Sequence, residues 1–368
     1  MARLKVIGSV YCRRVIDREE NLKRFVNDIE QAKWLALDTE ADSLHAYPEK
    51  LCLIQVSLPG SDELVDPLAG MDLSDFFAAI NRHTILMHGA DYDIRLFKMG
   101  HNFVPSQIFD TMLAARLTGR TQFGLSNLVK DILGVQLEKT SQKANWARRP
   151  LTPKMEDYAR NDTIHLRALV DALTSDLRDH DREEWHRQEC RRLVRDNSSI
   201  KKPDQDRVWR IKGSAKLSPR ALAVLLEIWR WRENEAHSRN RPPYFILSPD
   251  KMIAIAMAAA DEKAINSLLP HRMPDSRKNS LGESVKRGMQ LNESECPVRH
   301  KPAPRKHISP VQKKRVAEIQ ERRDRQAHNL KIDPTIIASR STMIRLACES
   351  EDILDVMLPW QLELLGEG

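Results

Sequence analysis

Two carboxylates one position apart, Asp38 and Glu40 in WLALDTE, close an apolar run with strand character. Side chains alternate across a strand, so both emerge on one face. Two like charges there are costly to ionise together: either one keeps a proton, or a cation sits between them. If that cation is a metal ion, three further acidic or phenolic positions stand out. In TILMHGADYDIRLF a strand pattern passes through a short turn into a helix pattern, which puts Asp91 or Asp93 at the helix N-terminus, where an acid is ordinarily a cap. In EDYARNDTIHL, Tyr158 and Asp162 stand four apart on one expected helix and share a face.

The elements that must position these groups alternate through the first half of the chain. REENLKRFVNDIEQA has helical spacing, WLALDTE and KLCLIQVSL read as strands, and DELVDPL as a short third strand. LSDFFAAIN is a helix pattern, TILMHGA a strand, and DYDIRLFKMG a helix stopped by Gly100. This order implies an α/β domain, a mixed sheet with helices packed on it. After about Phe109 the pattern is helical only, and LTPKMEDYARNDTIHLRALVDALTSDL starts with Thr152 as N-cap and Pro153 at the first helical position. From about Arg191 the chain turns charged and loop-like, a linker.

Downstream, an ungapped offset of 91 residues sets Ser218-Pro219 on Ser309-Pro310, Ala236 on Ala327, Pro243 on Pro334, Ile246 on Ile337 and Ala256 on Ala347. Matches at helix starts, core positions and turns imply two copies of one small helical domain. Between them, HRMPDSRKNSLGESVKRGMQLNESECPVRHKPAPRKH is basic and poor in apolar residues, and reads as a flexible tether. Trp229 and Trp231 are too close in sequence to share a helix face, so one is expected at the surface or between domains.

Across all 368 residues the formal net charge is +7, with 30% charged and 5% aromatic residues, a mildly basic chain able to attract polyanions. The five cysteines are scattered without Cys-x-x-Cys spacing, which argues against a zinc site and for reduced thiols. Cys296, His300 and His307 read as unrelated surface residues. No uncharged apolar run is long enough to span a bilayer and no signal-peptide core is present, so a cytoplasmic protein is expected.

Asp-x-Glu at a strand end, His-Gly-x-x-x-Asp after a later strand, and Tyr-x-x-x-Asp on a helix, in that order, resemble the three motifs of the DEDD exonuclease superfamily, tyrosine branch. LALDTEADSLHAYPEKLCLIQVS, FDTMLAARL, LSNLVKDILGV and KANWARRPLTPKMEDYARNDTIHLRAL are similar to the ribonuclease D family, and the repeats to its tandem helicase-and-RNase-D C-terminal (HRDC) domains. The resemblance implies a ribonuclease H-like exonuclease domain over 1–195, a linker 196–212, a first HRDC-type domain 213–275, a basic flexible connector 276–306 and a second HRDC-type domain 307–368.

It further implies that Asp38, Glu40, Asp93 and Asp162 hold the metal, and that Tyr158 positions the attacking water. Asp93 is preferred to Asp91 because the family aspartate directly precedes an apolar residue, here Ile94; Asp91 then becomes the helix cap, as does Asp110 of FDT for the next helix. Oxygen-only ligands suit Mg2+ or Mn2+, and two such ions can clamp the attacking and leaving oxygens of a phosphoryl displacement. The implied activity is 3′-to-5′ exoribonuclease, releasing nucleoside 5′-monophosphates from RNA with a free 3′ end, tRNA precursors above all, by a monomer. Leu44 and Tyr47 would border the terminal bases and Gln55 reach the strand backbone; Trp146, Arg148 and Arg149 lie just before the catalytic helix, where an arginine could engage a phosphate. Competing expectations are a DNA exonuclease acting in repair and a non-catalytic nucleic-acid-binding module, the latter disfavoured because every expected acid is present.

Overall fold

The computed structural model of the protein describes residues 15–138, 140–199, 204–299, 308–348 and 356–366. Cys12, His300, His307 and the end of the expected connector lie outside them. Six strands, β1 (Val15–Ile16), β2 (Leu35–Ala41), β3 (Leu51–Leu58), β4 (Ser61–Val65), β5 (Ile85–Met87) and β6 (Ile108–Asp110), form one mixed sheet ordered β1-β4-β3-β2-β5-β6. β3 is antiparallel to β2 and β4, while β2, β5 and β6 run parallel to one another. The reason is connectivity: β3 and β4 join through a tight turn at Gly60, held at φ +84, whereas β5 and β6 are reached through helices. Every residue of β3 is buried, as its unbroken apolar run requires of a central strand.

Among the described residues eight helices accompany this sheet: α1 (Glu19–Gln31), α2 (Ser74–Ile80), α3 (Asp91–His101), α4 (Thr111–Leu117), α5 (Leu125–Leu133), α6 (Pro153–Asn161), α7 (Leu166–Asp179) and α8 (Glu183–Asn197). The expected long helix from Pro153 is broken at Asp162, the C-cap of α6. The NDT triplet supplies the break: the Thr163 hydroxyl bonds back to the Arg160 carbonyl and accepts from Ser57 Oγ at 2.8 Å, so a side chain competes with the helix ladder. Conversely, the charged stretch after Arg191 stays helical to Asn197. Its charges pair along the helix, Glu184 with Arg187 and Arg191 and Glu189 with Arg192, and support it.

The chain forms two compact units. One holds residues 42–50 with 201–307; its helices are α9 (Pro219–Ser238), α10 (Pro243–Ile246), α11 (Pro249–Ala260) and α12 (Asp275–Gln290). Here α12 replaces the expected flexible connector. Its buried stripe is Leu281, Ser284, Val285 and Gly288, and a Cβ on Gly288 would stand 2.5 Å from Val224 Cα, so α9 and α12 touch backbone to backbone. A helix interface built on small residues escapes a hydropathy reading. Trp231 is buried and donates to Ser280 Oγ at 3.0 Å, and Trp229 packs against the same core.

The other unit contains the sheet, α1–α8 and the second helical copy: α13 (Pro310–Leu330), α14 (Pro334–Ile337), α15 (Arg340–Ala347) and α16 (Pro359–Leu365). The two copies repeat in detail. Ser218 and Ser309 cap α9 and α13, Asn240 and Lys331 adopt left-handed φ of 47° and 54°, and Ile246 and Ile337 are buried. The second copy shares one apolar core with α4, α5 and α7: Leu117, Leu128, Leu166 and Leu173 meet Ile319, Ile337 and Trp360. Trp185 stacks on Trp360 with centroids 4.5 Å apart, and Arg182 donates to the carbonyls of Leu117 and Leu330 at 2.5 and 2.8 Å. That arginine satisfies the C-terminal ends of α4 and α13 at once.

Candidate active site

β2 carries the first two acids, and its register with β3 sets Asp38 opposite Gln55 and Glu40 opposite Leu53, with a bulge immediately after Glu40. Opposed residues share a face, and on this face α6 packs through Met155, Ala159 and Tyr158 against Leu53, Leu64 and Trp146. Thr39 leaves β2 on the opposite side and donates its hydroxyl to Asp93 on α3. Asp93 is 6% exposed, whereas Asp91 faces solvent and pairs with Arg95 at 3.1 Å. Asp91 does not cap α3: the N-cap position is Ala90, and no side chain bonds there.

Electrostatics ties the acids together. Asp38 is raised well above the usual carboxylate range by burial, then by Asp93, Asp162 and Glu40 in turn. Glu40 is pushed up to about 9 by burial, Asp162 and Asp93, and Asp162 to about 7 by burial and Asp93. Burial lifts Asp93 to about 6 against the hydrogen bond from Thr39. The Tyr158 hydroxyl is also raised, by burial first and then by Asp162, Glu40 and Asp38. Among the described residues no Lys, Arg or His pairs with any of the four acids, and no group of three or more His, Cys, Asp or Glu is arranged as a ready metal cage. What remains is a cluster of oxygen donors, Asp93 buried and the other three half-buried, pressing on one another with no cationic side chain among the described residues paired to them. A hard divalent ion fits that donor set and would relieve the repulsion.

Asp110 takes a supporting position. It is fully buried, caps α4 through Leu113 N–H at 3.0 Å, and accepts from Ala90 N–H at 2.8 Å, so it pins the turn that leads into α3. Gln55 is also fully buried, and neither its amide nitrogen nor its amide oxygen has a partner among the described residues. Arg149 is engaged elsewhere: it pairs with Asp66, with one contact at 2.6 Å, and donates to the carbonyls of Cys52, Trp146 and Arg148. Trp146 is core at 1% exposure, with its ring 6.0 Å from that of Tyr158, while Arg148 is exposed. In the other unit, Leu44 is exposed, and the Tyr47 hydroxyl donates to Glu233 at 2.5 Å while its ring meets His237 edge-on. Burial and Glu233 push the Tyr47 hydroxyl up to about 12. Of these groups sequence reasoning missed Thr39, whose only signal is a hydroxyl between two acids.

A family model described as 3′–5′ exonuclease matches residues 13–178, and one described as HRDC domain matches 221–264. A ribonuclease D from Nitrobacter hamburgensis is 30% identical over 342 residues, covering 91% of this chain and 88% of that protein. The chain belongs to the ribonuclease D family. A ribonuclease D from a Jannaschia species is likewise 30% identical, covering 76% of this chain and 75% of its own length. The crystal structure of Escherichia coli RNase D, described as an exoribonuclease involved in structured RNA processing, superposes with a TM-score of 0.73 at 23% identity over 96% of both chains. A protein from Bifidobacterium adolescentis superposes with a TM-score of 0.82 at 22% identity, covering 96% of this chain and 95% of its own; both likenesses concern the fold. As a ribonuclease D, the chain is a metal-dependent 3′–5′ exoribonuclease.

Proposed function

We propose that the chain removes nucleotides one at a time from the free 3′ end of RNA as nucleoside 5′-monophosphates, with Asp38, Glu40, Asp93 and Asp162 holding two divalent ions, Mg2+ or Mn2+. The observation that carries this reading is the cluster of four carboxylates, each raised by burial and none paired with a cation among the described residues. When bound, the ions supply charge for the attacking and leaving oxygens of an in-line displacement. The chain's own groups do the rest. Tyr158, one helical turn before Asp162, keeps its proton across the working pH range and orients a water through its hydroxyl. The water gives up a proton to solvent as its oxygen forms a bond to the phosphorus of the terminal nucleotide, the P–O3′ bond to the preceding nucleotide breaks, and the released 3′-oxygen takes up a proton from solvent. Thr39 and Asp110 hold Asp93 in register from behind.

Gln55, buried and unpartnered opposite Asp38, has unused hydrogen-bonding capacity on this face for the terminal nucleotide. Arg148 is exposed and able to meet a phosphate; Arg149 and Trp146 support the wall behind α6. The physiological substrate we favour is a structured precursor such as tRNA, trimmed by a monomer in the cytoplasm, with residues 307–368 acting as a second HRDC-type domain. The test is release of labelled 5′-monophosphates from matched RNA and DNA strands with free or blocked 3′ ends, in Mg2+ or chelator, beside Asp38→Asn. Metal-dependent laddering of free-ended RNA, lost in the variant, is expected; equal laddering by Asp38→Asn would overturn the assignment.

A further inference from the structure

Beside the core that the second copy shares with α4, α5 and α7 lies a cavity of about 490 Å3, walled by the end of α4 and the loop after it on one side and by residues 331–336 on the other. Its size falls in the range of about 300–1,000 Å3 usual for small-molecule sites. Ile332 and the partly buried Ile336 give it an apolar lining, and Phe123, 37% exposed, adds a ring. Among the described residues three cations line it, Arg116, Arg120 and Lys331, against one carboxylate, Asp333. Asp333 is engaged locally: it caps α14, accepting from Thr335 N–H at 2.7 Å and from the Thr335 hydroxyl. Arg120 holds Asp176 at 2.6 Å through a terminal nitrogen, while its Nε is buried with no hydrogen-bond partner among the described residues. Neither Arg116 nor Lys331 forms an ion pair with a carboxylate among the described residues, and the Arg116 guanidinium lies 5.5 Å from the Phe123 ring centre.

The two walls are joined through backbone. Gly119, at φ +85, stands so close to the Lys331 carbonyl that a Cβ there would collide with it, and Arg182 donates to the carbonyls of Leu117 and Leu330. Walls fixed in advance lose little freedom when a ligand enters. Three cations around one space repel one another unless an anion sits among them. The two that lack a carboxylate match the two charges of a phosphate monoester. Inorganic phosphate would leave the ring and the isoleucines unused, and an uncharged nucleoside would leave the cations unused. A flat group joined to a phosphate uses both.

We propose that this cavity binds a nucleoside 5′-monophosphate, with its phosphate among Arg116, Arg120 and Lys331 and its base against Phe123, Ile332 and Ile336. The cavity shares no lining residue with the four acids, so it is a second nucleotide site and not the catalytic one. Binding here does not require that the acids cut RNA. One wall belongs to α4 and its loop and the other to the second copy, so a bound nucleotide ties the two together and stabilises the folded body.

The test is calorimetry on the full chain in chelator, with adenosine 5′-monophosphate, cytidine 5′-monophosphate, adenosine and inorganic phosphate as the probes. The two monophosphates should bind about tenfold or more tightly than adenosine or inorganic phosphate, and should raise Tm as their concentration grows. Arg116→Gln and Phe123→Leu should each weaken their binding by about tenfold, whereas Asp38→Asn should bind as the wild type does. Arg116 and Phe123 are both partly exposed, so without ligand both variants should melt near the wild type, and a loss of binding then reports the cavity. No binding of either monophosphate, or binding indifferent to both cavity variants, would overturn the proposal. So would inorganic phosphate binding as tightly as the monophosphates, which would make this an anion site without a place for a base. Binding lost in Asp38→Asn and kept in the cavity variants would put the nucleotide at the acids and overturn it equally.

Discussion

Thr39, the residue between the two acids of β2, donates its hydroxyl to Asp93 on α3 and thereby ties the second motif to the first. The bond favours the charged form of Asp93 against the effect of burial. Thr39→Val keeps the shape and removes the donor, so Asp93 becomes harder to ionise. A hydrogen bond to a charged group is worth about 1.5–3 kcal/mol, so Mn2+ affinity measured by calorimetry should fall by about tenfold or more. Thr39→Ser should recover most of it.

The acidic cluster makes stability depend on pH in a definite direction. Glu40 rises from 4.5 to about 9 in the folded chain. Its folded form therefore holds a proton that the unfolded chain has already lost, and stability falls as pH rises between those values. Thermal melts in chelator should show Tm dropping from about pH 5 to about pH 9. Mg2+ should flatten that slope, as should Glu40→Gln without metal; a slope unchanged by either would remove the cluster as its cause.

Gln55 tests whether a buried, unpartnered amide is kept for the substrate. An unsatisfied buried polar group costs about 1–3 kcal/mol. Gln55→Met removes that cost, so Tm of the RNA-free protein should hold or increase while kcat/KM on RNA falls. A lower Tm together with unchanged kinetics would show that the amide serves the fold.

Arg149 and Arg148 are neighbours with opposite expectations. Arg149→Ala leaves Asp66 buried without its cation and frees three carbonyls, so unfolding should be easier by about 3 kcal/mol. Arg148→Ala should leave Tm alone and raise KM for RNA. The pair is resolved by measuring Tm and KM on both variants.

Much of the site is legible in the sequence because strand period two and helix spacing four oblige Asp38 with Glu40, and Tyr158 with Asp162, to share faces. The preference for Asp93 over Asp91 rests in the sequence on family resemblance alone: both stand in the first turn of α3, and burial is what distinguishes an acid facing Arg95 and solvent from one facing Thr39. Arg149 is ambiguous for a similar reason, since a guanidinium near a catalytic helix fits a phosphate or a buried aspartate equally well until Asp66 is seen beside it. The fold is legible where apolar side chains make the contact, as in β3, and illegible where their absence makes it, as at Gly288 of α12. The docking of the second copy leaves no local mark, because Trp360 reads as core whichever body it fills.

That docking bears on how the protein comes to exist. Trp360 and Ile319 complete a core begun by Leu117, Leu128 and Leu166, so Trp360→Ala should destabilise the sheet-bearing body by about 3–5 kcal/mol and lower activity at elevated temperature without touching the acids. A ribosome that has finished the sheet and all eight surrounding helices has still not finished their interior. Until α16 emerges, the growing chain shows water an unfilled apolar wall on α4, α5 and α7, so a message truncated before it is expected to yield a client for chaperones in place of a smaller nuclease.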